Sequence, residues 1–123
     1  MNNENALVRQ VLSLPELIEQ QFNDMEQRSR TVLSTPEIFN IQKIVLTGCG
    51  DSYAAALATK HAFEMLTHIP TEVVTAIELS RLYSRDQLGF RPNNPLVIAV
   101  SNSGGVTRVG ESIKSASENG EVA

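Results

Sequence analysis

Apolar and polar residues follow one another along this chain with two different periods, and the change comes near residue 43. Before it the spacing is helical, with Leu7, Val8, Val11 and Leu12 three or four positions apart. Pro15 suits the first turn of a helix, so the spacing predicts a second helix opening there. Its apolar face is Leu17, Ile18, Phe22 and Met25, while Glu16, Glu19, Gln20, Asn23, Glu26 and Arg28 are left for water. Ser34-Thr35-Pro36 breaks the pattern and predicts a short helix through Phe39.

From Lys43 the chain alternates strands with helices. Lys43-Ile44-Val45-Leu46-Thr47, Thr71-Glu72-Val73-Val74-Thr75 and Leu96-Val97-Ile98-Ala99-Val100 are short β-branched runs that predict three strands. Between the first two lies a helix whose apolar face is read as Ala55, Ala58, Ala62, Met65 and Leu66, opposite Lys60, Glu64 and Thr67, and ended by Pro70. Residues 77–83 predict a short helix, and Arg91-Pro92-Asn93-Asn94-Pro95 a loop. Val106, Val109, Ile113 and Ala116 mark a last helix stopped by Asn119-Gly120, and Glu121-Val122-Ala123 reads as the start of a fourth strand. The first and third runs are apolar on both faces, as parallel strands between helices must be. The expected fold is therefore α/β: a three-layer αβα arrangement with a flavodoxin-like parallel sheet and right-handed crossovers. Residues 1–42 form its helical lead-in, and residues 43–123 the first part of the domain. A sheet of three strands with a fourth just beginning would leave an open edge, so the chain is read as a truncated, N-terminal portion of that domain.

Composition narrows the function. Hydrophobic residues make up 41% and charged residues 20%, which suits a globular domain rather than a disordered one. A net charge of −4, with the basic residues scattered singly, gives no footprint for nucleic acid. No apolar run approaches a membrane span, and residues 1–20 lack a signal peptide. The single cysteine, Cys49, excludes an internal disulfide, and a reducing, cytoplasmic setting is expected. No paired-Cys or His-x-x-x-His spacing suggests a metal, and no cofactor is expected.

Open parallel sheets bind ligands at the carboxyl ends of their strands. Two loops have that address, Gly48 to Ser52 and Ser101 to Thr107. In the second, Ser101, Ser103 and Thr107 offer hydroxyls, Asn102 an amide, and Gly104 and Gly105 let a ligand approach the backbone. The following helix start leaves amides unpaired at the positive end of its dipole, a setting for phosphate that needs no lysine. A blander reading has Ser103 capping that helix and the glycines making a turn. In the first loop Gly48 and Gly50 allow a tight turn and Ser52 can aim a hydroxyl into the cleft. Asp51 either serves the helix start or meets a ligand hydroxyl, and Cys49 either faces the ligand or packs. His61 and His68 lie away from the strand ends and receive no role. The dinucleotide pattern G-x-G-x-x-G fails at Tyr53, and no Gly-Lys-Ser/Thr P-loop is present. Ser101-Asn102-Ser103-Gly104-Gly105 is one residue from a G-x-S-x-G nucleophile elbow, but no later Asp and His complete a triad.

Together, Gly48-Cys49-Gly50-Asp51-Ser52-Tyr53 and Ser101-Asn102-Ser103-Gly104 resemble the SIS (sugar isomerase) domain family, as found in the isomerase half of glucosamine-6-phosphate synthase, phosphosugar isomerases and fructosamine deglycases. The resemblance runs from the N-terminal helices to the end of the chain. It implies a phosphorylated sugar or amino sugar held by Cys49, Gly50, Asp51, Ser52, Ser101, Asn102, Ser103, Gly104 and Thr107. It also implies aldose–ketose isomerisation or deglycation, with the acid–base residues beyond residue 123, and a homodimer. A phosphosugar-sensing module without catalysis is the alternative. Departures from the family pattern are Gly105 and Val106 where Glu/Lys and Thr are frequent, Thr107 one position late, and Asp51 where the synthases often have threonine.

Overall fold

The structure is a computed structural model and describes residues 5–88 and 94–119. The chain divides into two compact units, residues 1–34 and 35–123. The first is one long helix, α1 (Ala6–Val32). Asn5 starts it by accepting the Leu7 amide at 3.0 Å. The second helix expected at Pro15 is the continuation of the first, because Pro15 lies inside α1. Proline removes one backbone donor and crowds the carbonyl four residues back, at a cost of about 3 kcal/mol in a helix interior. Against it stand the Asn5 cap, worth about 1 kcal/mol, and exposed pairs four residues apart, worth about 0.3 kcal/mol each. Those pairs are Glu16–Gln20, Asp24–Arg28 and Glu26–Arg30. None of the residues of α1 is buried.

The second unit starts with α2 (Thr35–Asn40), where the Ser-Thr-Pro break predicts a short helix, and goes on to the sheet. The strands are β1 (Ile41–Gly48), β2 (Thr71–Thr75) and β3 (Asn94–Val100), all parallel, in the order β2-β1-β3. β1 is longer than the apolar run that predicts it. β3 takes in Asn94 and Pro95, which read as loop residues in the sequence; Arg91, Pro92 and Asn93 lie outside the described residues. Pro95 fits a strand here because β3 is an edge among the described strands, and the ladder shifts register between Ile41 and Lys43 just where Pro95 pairs. Residues 120–123, with the expected fourth strand, also lie outside the described residues.

Helices lie on both faces of the sheet, as the αβα reading expects. On one face α3 (Asp51–Thr67) covers Ile44 and Leu46, with Ala56 and Phe63 turned towards them. On the other, Val45, Val74 and Val97 meet Leu79 of α4 (Ala76–Arg81), Leu88 of α5 (Arg85–Leu88) and Ala116 of α6 (Thr107–Asn119). Each buried valine, leucine or isoleucine among them contributes roughly 1.5–3 kcal/mol by leaving water.

The face of α3 departs from the expectation. Met65 and Leu66 are 62% and 77% exposed, and Ala55, Ala58 and Ala62 are exposed as well. The sheet-facing side carries Ala56 and Phe63, about one residue round the helix from the predicted stripe. Alanines on several sides of α3 give it no clear direction in the sequence. The predicted helix at 77–83 is also displaced. Thr75 caps α4 by accepting the Glu78 amide at 3.3 Å, the helix ends at Arg81, and α5 follows as a separate turn. Val106 precedes α6 rather than opening it, while Val109, Ile113 and Ala116 do face the core. Among the described residues no helix is long and apolar enough to cross a membrane.

Candidate functional site

The pairing of β1 with β3 determines where the two glycine–serine loops go. Gly48, the last residue of β1, is the direct partner of Val100, the last residue of β3. Neighbouring strands lie about 4.8 Å apart, so the chain leaves the sheet twice, side by side, at its carboxyl end. The loops after Gly48 and after Val100 thus open on the same side, each running into a helix N-terminus.

The first loop is very tight. Gly50 has φ of 56°, the left-handed region open to glycine, and stands as the N-cap of α3 without any side-chain cap. The Ser52 amide donates to the Cys49 carbonyl at 3.1 Å and the Ala54 amide to the Gly50 carbonyl at 3.1 Å. A Cβ on Gly48 would come within 2.8 Å of the Ser52 carbonyl carbon and 2.9 Å of the Tyr53 nitrogen. Helix α3 therefore starts almost in contact with the strand end. Asp51 is exposed in the first turn, where the helix dipole favours a carboxylate, and makes no capping hydrogen bond. Cys49 and Ser52 are half-buried.

In the second loop Gly104 has φ of 66°. The Gly104 amide donates to Ser101 Oγ at 3.0 Å and the Gly105 amide to Ser103 Oγ at 3.3 Å. Ser103 consequently does not cap α6: its hydroxyl is engaged within the loop, and the helix begins four residues later at Thr107. Ser101, Gly104, Gly105 and Thr107 border a concave depression that extends along α6 to Gly110 and Ile113. Asn102, Ser103 and Thr107 are exposed, and Ser101 is half-buried. The described structure thus places all nine candidate residues in the two adjoining loops and the helix starts they lead into. His61 and His68 are elsewhere: counted along α3 at 1.5 Å per residue, they stand about 15 and 25 Å from its start.

Two neighbours escaped the sequence reading. Thr47, one residue before Gly48, is fully buried, and its hydroxyl has no hydrogen-bond partner among the described residues. A threonine inside a β-branched run reads only as a strand former. Arg108 is the second residue of α6 and exposed, with no ion-pair partner among the described residues. A cation in the first turn opposes the helix dipole, and that mismatch was the available signal. Among the described residues no cluster of His, Cys, Asp and Glu could hold a metal ion.

The SIS domain family matches residues 37–123. Similar curated proteins include the isomerizing glutamine–fructose-6-phosphate aminotransferase of Methanothermobacter thermautotrophicus, 41% identical over 68 residues, 55% of this chain and 11% of the relative. The enzyme of the same name from Mycobacterium tuberculosis is 35% identical over 86 residues, 70% of this chain and 13% of the relative. The chain therefore spans only about an eighth of the length of these curated relatives. Among solved structures, the C-terminal domain of glucosamine-fructose-6-phosphate aminotransferase from Francisella tularensis superposes with a TM-score of 0.58 at 23% identity. That match covers 70% of this chain and 23% of the other, and it shows a shared fold.

Proposed function

This chain belongs to the SIS domain family, and on that premise we propose that its two adjoining loops bind the phosphate and sugar of a phosphorylated hexose or hexosamine. The observation that carries the reading is the Gly48–Val100 register, which sets a Cys-Gly-Asp-Ser turn beside a Ser-Asn-Ser-Gly-Gly turn at one end of the sheet. In this proposal the unpaired first amides of α6 and the hydroxyls of Ser101, Ser103 and Thr107 receive the phosphate. Arg108 adds a neighbouring positive charge. Cys49, Gly50, Asp51 and Ser52 approach the sugar from the other loop, where a carboxylate accepts from sugar hydroxyls. Asn102 and Gly104 shape the rim.

The reaction proposed is aldose–ketose isomerisation of the bound phosphosugar, a reading supported by relatives whose names describe isomerizing aminotransferases. Such a reaction needs a general acid–base group within hydrogen-bond reach of the carbon that loses its proton. The role assigned to these loops is binding and orientation, because their polar groups are hydroxyls, amides and one exposed carboxylate. The test is a thermal-shift titration of the chain with hexose and hexosamine phosphates, using free sugars and inorganic phosphate as controls. Ligand at about 100 times its dissociation constant adds roughly 2.7 kcal/mol of stability. The expected result is stabilisation by one phosphosugar, abolished in the double variant Ser101→Ala/Ser103→Ala. Absence of a shift with every phosphosugar rejects the proposal.

A further inference from the structure

At the end of the sheet opposite the two loops, where β1 and β2 begin, one lysine is fully engaged. Lys43 Nζ lies 2.8 Å from Glu72 Oε2, and donates to the Tyr83 hydroxyl at 3.1 Å and to the Gln87 carbonyl at 2.6 Å. Its charge also sits 5.5 Å from the centre of the Tyr83 ring, within cation–π range. Tyr83 in turn donates its hydroxyl to Glu72. An ammonium has three donors, and here each finds an acceptor: one on β2, one in the turn after α4, one in α5.

The segment that Lys43 grips is tied to the rest at few points: its first two amides, of Leu82 and Tyr83, donate to the Glu78 carbonyl of α4 at 2.8 and 2.9 Å, and α5 lies beside α6. Helix α5 is four residues long, far below the length at which a helix stands alone. Ser84 and Gln87 cap it reciprocally, the Ser84 amide donating to Gln87 Oε1 at 2.7 Å and the Gln87 amide to Ser84 Oγ at 3.3 Å. That box shapes the turn without attaching it to anything. Attachment comes from Tyr83 and Leu88, 9% and 1% exposed, which rest on Val45, Val74 and Val97. Leu82 and Ser84, by contrast, face water. Lys43 thus joins the start of β1 directly to the far end of this segment, forty-four positions along the chain.

We propose that residues 82–88 form a strap over one face of the core, latched by Lys43, which opens as a unit while the sheet beneath stays folded. The latch is polar and partly open to water, and the strap has two apolar anchors. The strands beneath are held by ladders on a buried face. Opening the strap exposes Tyr83 and Leu88 and leaves the β2-β1-β3 pairing intact.

Amide hydrogen exchange on the whole chain tests this directly. The Gln87 and Leu88 amides both donate to the Ser84 carbonyl, at 3.1 and 3.2 Å; a four-residue helix does not persist once its anchors leave the core, so their exchange reports strap opening. In Lys43→Met, which keeps the aliphatic stem, these two amides are expected to exchange on the order of tenfold faster, with β1 amides such as Leu46 changing less than about twofold. An equal acceleration in strap and strand, or none in the strap, overturns the proposal. The wild-type chain supplies a second reading that needs no variant. In low denaturant, strap amides should show a shallow dependence on concentration, since little surface is exposed, and strand amides a steep one. One common steep dependence for both means that the strap has no separate opening, and the proposal fails.

Discussion

His68 closes α3 with φ of 57° and ψ of 22°, a left-handed conformation that a side chain makes unfavourable, and its amide donates to the Glu64 carbonyl at 3.0 Å. Glycine is the usual residue there, since it meets no Cβ penalty of about 1–2 kcal/mol. His68→Gly is therefore expected to stabilise the chain by about 0.5–1 kcal/mol, the larger entropy of glycine in the unfolded chain offsetting part of the gain. Urea melts of the two proteins decide it; a lower midpoint for the glycine variant would show that the imidazole holds something in place. This cap was invisible in the sequence, where Pro70 supplied the stop signal and a histidine gave none. The glycines behaved otherwise. Gly50 reads as a tight-turn residue from its place after a strand, and Gly104 as close backbone approach with a turn as the rival reading; both take positive φ. Thr47 and Lys43 show what a linear reading misses, because the burial of one and the three acceptors of the other come from elements dozens of residues away.

Elements were legible where their pattern was unambiguous and shifted where it was not. The strand centres fell where β-branched runs placed them, and α6 packs by the spacing of Val109, Ile113 and Ala116. Helix α3 sits about one residue round from its expected face, where its alanines give no direction, and its first turn packs closely on Gly48. That contact makes a prediction at the joint between β1 and α3. In Gly48→Ala the new methyl meets main-chain atoms of Ser52 and Tyr53 at 2.8–2.9 Å, which cannot swing aside as a side chain would. The helix start must move, and the expected loss is about 1–3 kcal/mol, typical of overpacking. Gly105→Ala is the matched control, since its Cβ would find nothing nearer than 4.0 Å and should cost far less. Comparable melting temperatures for the two variants would contradict the tight joint.

Across the second unit, alternation of strands and helices was sufficient to indicate a parallel αβα sheet, whereas strand order and register needed the folded chain. The latch around Lys43 gives that unit a pH signature. Partial burial raises the Glu72 carboxyl, but hydrogen bonds from Lys43 and Tyr83, with the charges of Lys43 and Lys60, outweigh it and hold it below the ordinary value of 4.5. Stability from this group is present above that value and is lost as pH falls through the lower folded one. Tyr83 is pushed above its ordinary 10.0, first by burial and then by Glu72 and Glu78, so the unfolded chain ionises first and stability falls as pH rises past about 10. Denaturation followed across pH should show both limbs, with the alkaline one flattened in Tyr83→Phe; an unchanged alkaline limb would place its origin elsewhere. The other end of the sheet has a different kind of determinacy. Because Gly48 and Val100 are fixed opposite each other by main-chain pairing, the distance between the two turns is a property of the ladder and not of the residues they display. The side chains of the non-glycine turn residues take no part in that pairing. On the proposed reading of these turns as a ligand site, the sheet end is a socket of constant pitch whose specificity is set by the residues that the turns display.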